Sequence, residues 1–160
     1  MAKEERFEVR CTVTELDELS AGDRELVQRA GQAALGAYAR YSHFRVGAAL
    51  RLHSGEIVAG SNQENASFPA GICAERTALH AAMAAHPQGL VEAMAIVVPD
   101  APQGRPVSPC GICRQALAEQ ESRQHGPVRL IMAAQNGPIH VLERAGDLLP
   151  WSFDASFLKS

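Results

Sequence analysis

Hydrophobic positions along the chain fall into alternating helical and extended patterns. Leu26, Ala30, Ala33 and Ala37 recur at helical spacing with Val27, Ala34 and Tyr38 beside them, which predicts a helix ending near residue 39. Ser20 is placed to cap it, with Asp23 and Glu25 near its positive end. Val46, Ala48, Leu50 and Leu52 then alternate with Gly47, Ala49 and Arg51, the period of a strand. Ser54-Gly55 signals a turn, and residues 56–61 read as the returning strand. Residues 74–85 are alanine-rich and helical, with Leu79, Ala82 and Met83 on one face, and His86-Pro87-Gln88-Gly89 stops them. Residues 93–98 form an unbroken apolar run, as expected of a central strand covered on both faces. A further helix is predicted from about Cys110 through Leu117 to about Arg123. Val128, Leu130 and Met132 alternate again. Asn136-Gly137 is a two-residue hairpin signal, and residues 139–142 return.

The stretches between these elements are polar or rich in turn residues. Residues 62–71 read as a loop delivering the chain to Cys73, and residues 99–109, with four prolines, read as a crossing loop. Residues 1–17 are an arm or a short strand, and residues 147–150 and 154–159 are short helical turns. The order helix, two strands, helix, strand, helix, two strands predicts an α/β fold with a five-stranded mixed sheet covered by helices. No repeat, low-complexity tract or linker interrupts it, so one domain is expected over residues 1–160.

Composition narrows the partners. With 160 residues, 46% of them hydrophobic, the chain can bury a substantial core. A net charge of -3 and a pI of about 6.1 do not favour nucleic acid or an anionic membrane surface. No apolar run is long enough to span a membrane, and the polar start of the chain does not read as a signal peptide. Three of the four cysteines fall in two clusters and Cys11 stands apart, which suits a reducing compartment, the cytoplasm by default.

Those clusters hold the candidate chemistry. Cys73-Ala74-Glu75-Arg76 offers one sulfur and, two residues on, a carboxylate. Pro109-Cys110-Gly111-Ile112-Cys113 offers two sulfurs on one turn of backbone. Structural zinc takes four protein ligands, whereas catalytic zinc takes three and leaves a position for water. Cys73, Cys110 and Cys113 are therefore candidate ligands for one Zn²⁺ per chain, with Glu75 as proton carrier beside it. Both clusters lie at predicted helix starts, where the partial positive charge favours thiolate.

The two clusters match the zinc deaminase pattern in its three-cysteine form. The chain resembles the cytidine deaminases, specifically the short class acting on free nucleosides. Tyr41-Ser42-His43-Phe44-Arg45-Val46-Gly47-Ala48-Ala49 is similar to that family's first block, Asn62-Gln63-Glu64-Asn65-Ala66 to its ribose-binding block, and Leu148-Leu149-Pro150-Trp151-Ser152-Phe153 to its C-terminal block. The resemblance implies a three-layer fold with helices on both faces of the sheet. It also implies hydrolytic deamination of cytidine and deoxycytidine in pyrimidine salvage, with zinc-activated water attacking C4 while Glu75 carries protons. Asn62 and Glu64 are implied to grip the ribose 3′-hydroxyl, Phe44 to pack on the base, and backbone groups near Ala66 and Ala74 to read its edge. Arg76 is implied to hydrogen-bond the ligand sulfurs. A homotetramer is implied, with Phe153 closing a neighbouring subunit's pocket. Two positions depart from the family pattern: Arg40 stands where proline is frequent, and Phe68 where tyrosine is common.

Other readings compete. A deaminase of a cytosine-bearing nucleoside antibiotic such as blasticidin S could use the same scaffold. A polynucleotide deaminase is disfavoured by the acidic charge balance; the Asn136-Gly137 hairpin, which makes the last two strands antiparallel, also resembles the nucleoside class, whereas the polynucleotide class runs them parallel. A zinc-stabilised binding module without catalysis is disfavoured by Glu75 and by the missing fourth ligand; a structural Cys₄ site with Cys11 is disfavoured because the C-x-x-C does not recur and Cys11 lies far from the second pair in sequence.

Overall fold

A computed structural model describes residues 2–158 of the protein. The strands are β1 (Thr12–Thr14), β2 (Gly47–Leu52), β3 (Ile57–Ser61), β4 (Val91–Val98), β5 (Arg129–Ala134) and β6 (Ile139–Leu142), and they form one sheet in the order β1-β6-β5-β4-β2-β3. Only β4 and β5 run parallel; the other neighbours are antiparallel. The helices are α1 (Ala21–Ala34), α2 (Ala74–Ala85) and α3 (Gly111–Gln124).

The alternation along each strand divides the side chains between two cores. On one face Leu26, Val27 and Ala30 of α1 pack with Ala49, Ala93, Ala95, Val97 and Ile131. On the other, Ala78, Leu79 and Ala82 of α2 and Leu117 of α3 pack with Leu50, Met94, Ile96, Leu130 and Met132. Consecutive residues of β4 thus serve opposite cores, which explains its unbroken apolar run. Leu26, Leu50, Met94, Leu117 and Leu130 are fully buried. Each such side chain contributes about 1.5–3 kcal/mol by leaving water.

Two glycines set the spacing of these layers. A Cβ on Gly47 would lie 1.9 Å from the carbonyl oxygen of Ala30, and one on Gly60 would lie 2.6 Å from the amide nitrogen of Ala78. Helices α1 and α2 therefore rest almost backbone-to-backbone on β2 and β3. The alanines along both helices serve this close approach.

Four expectations need correction. The sheet has six strands, not five: Thr12–Thr14 pairs antiparallel with β6. This strand has no buried alternation to betray it, because it lies at the edge. Helix α1 stops at Ala34, not near Ala39. Leu35, Gly36 and Ala37 close tightened turns onto Gln32, Ala33 and Ala34, and Tyr38 instead pairs with the site loop, donating to Asn62 O at 3.0 Å and accepting from Glu64 N at 2.8 Å. Tertiary pairing there overrides helical periodicity. The β5–β6 hairpin is antiparallel as expected, but its connection is four residues, 135–138. Gly137 is needed for close approach to a second loop, since its Cβ would lie 2.2 Å from Gly104 O. The C-terminal turns are 3₁₀ segments at Ala145–Leu148 and Ala155–Leu158, and the expected end of the second, Lys159, lies outside the described residues. Among the described residues no helix is long and apolar enough to cross a membrane.

Candidate active site

Helices α2 and α3 present their N-termini at the same place beside the sheet. Cys73 is the residue preceding α2 and Cys110 the residue preceding α3; neither accepts a capping hydrogen bond through its side chain. Cys113 lies in the first turn of α3 and is buried. The sulfurs of Cys73 and Cys110 are 3.7 Å apart and those of Cys110 and Cys113 are 3.5 Å apart. All three lie within 4.8 Å of one another. A tetrahedral zinc with Zn–S bonds of about 2.3 Å needs sulfurs about 3.8 Å apart, so the cluster fits zinc. Cys11 is exposed and outside the cluster, so among the described residues no fourth thiol closes the site.

Electrostatics agree with a cation at this point. A hydrogen bond from Cys113 is the main reason the Cys73 thiol falls to about 5; Arg76 and Cys110 lower it further. Cys113 is pushed upward, first by the same hydrogen bond and then by burial. The shared hydrogen bond thus favours thiolate at Cys73 and opposes it at Cys113, and a divalent cation would let both ionise. Arg76 Nη2 donates to Cys73 Sγ at 3.8 Å, while its buried Nε has no hydrogen-bond partner. That places a guanidinium where it can withdraw charge from the sulfurs.

Glu75 sits in the first turn of α2 and is only 5% exposed. Burial holds its carboxyl above the ordinary carboxylate range, and the Cys73 sulfur acts in the same direction. Desolvation of this kind marks functional carboxyls. Glu75, Cys73 and Cys110 all line a cavity of about 650 Å³ whose walls are mostly apolar. This is a size common for small-molecule sites.

Residues 62–64 build the opposite wall. Asn62 Oδ1 accepts from Val46 N at 2.8 Å and its Nδ2 donates to Phe44 O at 2.9 Å. Its amide therefore staples the entry to β2 and keeps one N–H and one lone pair free for a ligand. Glu64 accepts from Tyr41 N at 2.7 Å, from Ser42 N at 3.3 Å and from the Ser42 hydroxyl. The hydroxyl first, and the Tyr41 amide next, hold its carboxyl below the usual range. Phe44, Asn62 and Glu64 all face the cavity.

The remaining sequence candidates fall elsewhere. Ala66 is exposed and Ala74 is buried at the first position of α2, and neither lines the cavity. Phe153 is 58% exposed, outside its own chain's cavity, with its ring stacked on Phe157 at 5.7 Å. The two departures meet in one cluster: the Arg40 guanidinium lies 6.0 Å from the centre of the Tyr41 ring, and Phe68 meets that ring edge-on at 6.1 Å. Sequence reasoning missed Ser42, Val107 and Ser108 as cavity residues. For Ser108 the available signal was its position two residues before Cys110.

The family described as the cytidine and deoxycytidylate deaminase zinc-binding region matches residues 20–125. The chain belongs to that family. A cytidine deaminase of Halalkalibacterium halodurans is 49% identical over 98 residues, spanning 61% of this chain and 71% of the relative. One from Mycobacterium tuberculosis is 40% identical over 124 residues, 78% of this chain and 84% of the relative. The crystal structure of cytidine deaminase from Burkholderia pseudomallei superposes with a TM-score of 0.72 at 40% identity, covering 81% of this chain and 97% of that one. Membership in this zinc-binding family and the sulfur geometry agree on one zinc per chain.

Proposed function

We propose that the protein hydrolyses cytidine and deoxycytidine to uridine and deoxyuridine with release of ammonia, in pyrimidine salvage in the cytoplasm. The observation that carries this reading is the buried Glu75 carboxyl beside three clustered thiols, at the wall of a cavity of small-molecule size. Zinc in the thiol site supplies Lewis acidity that makes water nucleophilic near neutral pH. Glu75 would accept the water's proton on its carboxylate and deliver it to N3 of the cytosine, then take the proton of the new C4 hydroxyl and pass it to the amine, so that the C4–N bond breaks and ammonia leaves. Phe44 packs on the base. The free N–H of Asn62 and the remaining acceptor sites of Glu64 hold the sugar hydroxyls. Arg76 offsets the negative charge of the thiolates.

Glu64 also sets the substrate class. An ionised carboxylate at the sugar opposes a phosphate there. A spectrophotometric panel of cytidine, deoxycytidine, CMP, a cytosine oligonucleotide and blasticidin S tests this. Cytidine and deoxycytidine are expected to react fastest. Faster turnover of CMP or the oligonucleotide would overturn the nucleoside reading, and faster turnover of blasticidin S would move the assignment to antibiotic deamination.

The assembly proposed is a homotetramer with shared sites. Trp151, Phe153, Phe157 and Leu158 are each more than half exposed on one terminal segment, and exposed apolar surface of this extent marks an interface. Phe153 is proposed to close the cavity of an adjacent subunit. Sedimentation equilibrium should give four chains, and Phe153→Ala should raise KM, weaken assembly, or both. A fully active monomer, or a variant with unchanged KM and mass, would reduce Phe153 to local packing.

A further inference from the structure

The residue after the last metal ligand, Arg114, makes three hydrogen bonds to two separate segments. Its Nε donates to Pro109 O at 2.9 Å and its Nη2 to Ser108 Oγ at 2.7 Å. Its Nη1 donates to Leu148 O at 3.1 Å. The next residue, Gln115, donates from Nε2 to Phe153 O at 2.8 Å. One helical turn therefore carries Cys113 and grips the C-terminal block at both ends, 148 and 153. The same turn fixes the backbone immediately before Cys110. Cys110, the residue preceding α3, makes no side-chain cap hydrogen bond of its own, and the arginine fork holds the two residues before it. Ser108, held by that fork, is part of the cavity wall.

We propose that Arg114 is a positioning residue that couples the metal loop to the C-terminal block, so that the placement of Cys110 and of Leu148–Phe153 change together. The fork geometry is essential: three acceptors on two segments need a planar, multi-donor head, which lysine lacks. Between the two anchored ends lies Trp151, the single tryptophan of the chain, whose ring meets Phe7 at 4.2 Å. Its emission reports the block directly.

The test takes two readings without substrate: zinc release to EDTA, and Trp151 emission before and after zinc removal. In the wild type, zinc loss is expected to change Trp151 emission. Arg114→Ala should release zinc about tenfold faster, the effect of losing hydrogen bonds from a charged donor. It should also abolish the dependence of Trp151 emission on zinc. Arg114→Lys, which keeps the charge, should restore neither. Should Arg114→Ala fail to fold, Ser108→Ala removes one acceptor and should speed zinc release by about two- to fivefold, again from one lost bond. Wild-type release in either soluble variant would overturn the proposal. So would faster release with the Trp151 response intact, since Arg114 would then support only its own loop. The inference rests on the deaminase reading only for the identity of the metal. A protein that fails to deaminate cytidine yet shows both effects would sink that reading and keep this one.

Discussion

Replacing Glu75 by alanine should leave zinc and fold in place and cut cytidine turnover by at least about 10²–10⁴-fold, the range of one general acid–base group. The loss should lie at the upper end, because the same carboxyl serves the water, N3 and the amine. Glu75 is not among the clustered sulfur ligands, so elemental analysis should return the wild-type zinc content. Glu75→Gln keeps the volume of the buried side chain and should lose nearly as much, which separates proton transfer from packing. Steady-state kinetics with circular dichroism on both variants provide the check. Activity within tenfold of wild type would place the proton route elsewhere.

Cys110→Ala should lose the metal and, with it, essentially all activity. Its sulfur is within 3.7 Å of Cys73 and 3.5 Å of Cys113, so it bridges the two halves of the cluster. Two remaining thiols cannot fill a site that holds only three protein ligands to begin with. Zinc content after dialysis should fall below about one-tenth of an equivalent, since ligand loss removes most of the binding free energy. Thermal stability should fall as well, because the metal ties the start of α2 to the start of α3. Full zinc retention by the purified variant would defeat the ligand assignment.

Much of this was legible in the order of residues. Period-two and helical spacing placed β2 to β6, α2 and α3 to within about two residues, and α1 except for its end, because each must turn an apolar face to a core. The division of β4 between two cores was implicit in its unbroken apolar run. The two cysteine clusters fell at helix starts as expected, since short local spacing fixes which turn of backbone carries which sulfur. The resemblance in the blocks around Phe44, Asn62 and Phe153 pointed to the family in which the chain belongs.

Other features depended on contacts between distant residues. Of the two readings of residues 1–17, an arm or a short strand, the pairing of Thr12–Thr14 with β6 decides for the strand; its exposed edge position leaves no buried alternation in the sequence. The end of α1 was decided by Tyr38, whose backbone pairs with the loop at Asn62 and Glu64. The roles of Asn62 and Glu64 as staples of the 41–46 segment could not be read from residue type, since an amide and a carboxylate serve backbone and ligand equally well. The coupling through Arg114 is of the same kind: positions 109 and 148 are far apart in sequence, and only folding brings both carbonyls under one guanidinium. Sequence alone determined most of the elements and the two thiol clusters, because spacing along the backbone is local. Tertiary structure alone decided which polar groups remain free for chemistry, because that depends on what each one has already bonded across the fold.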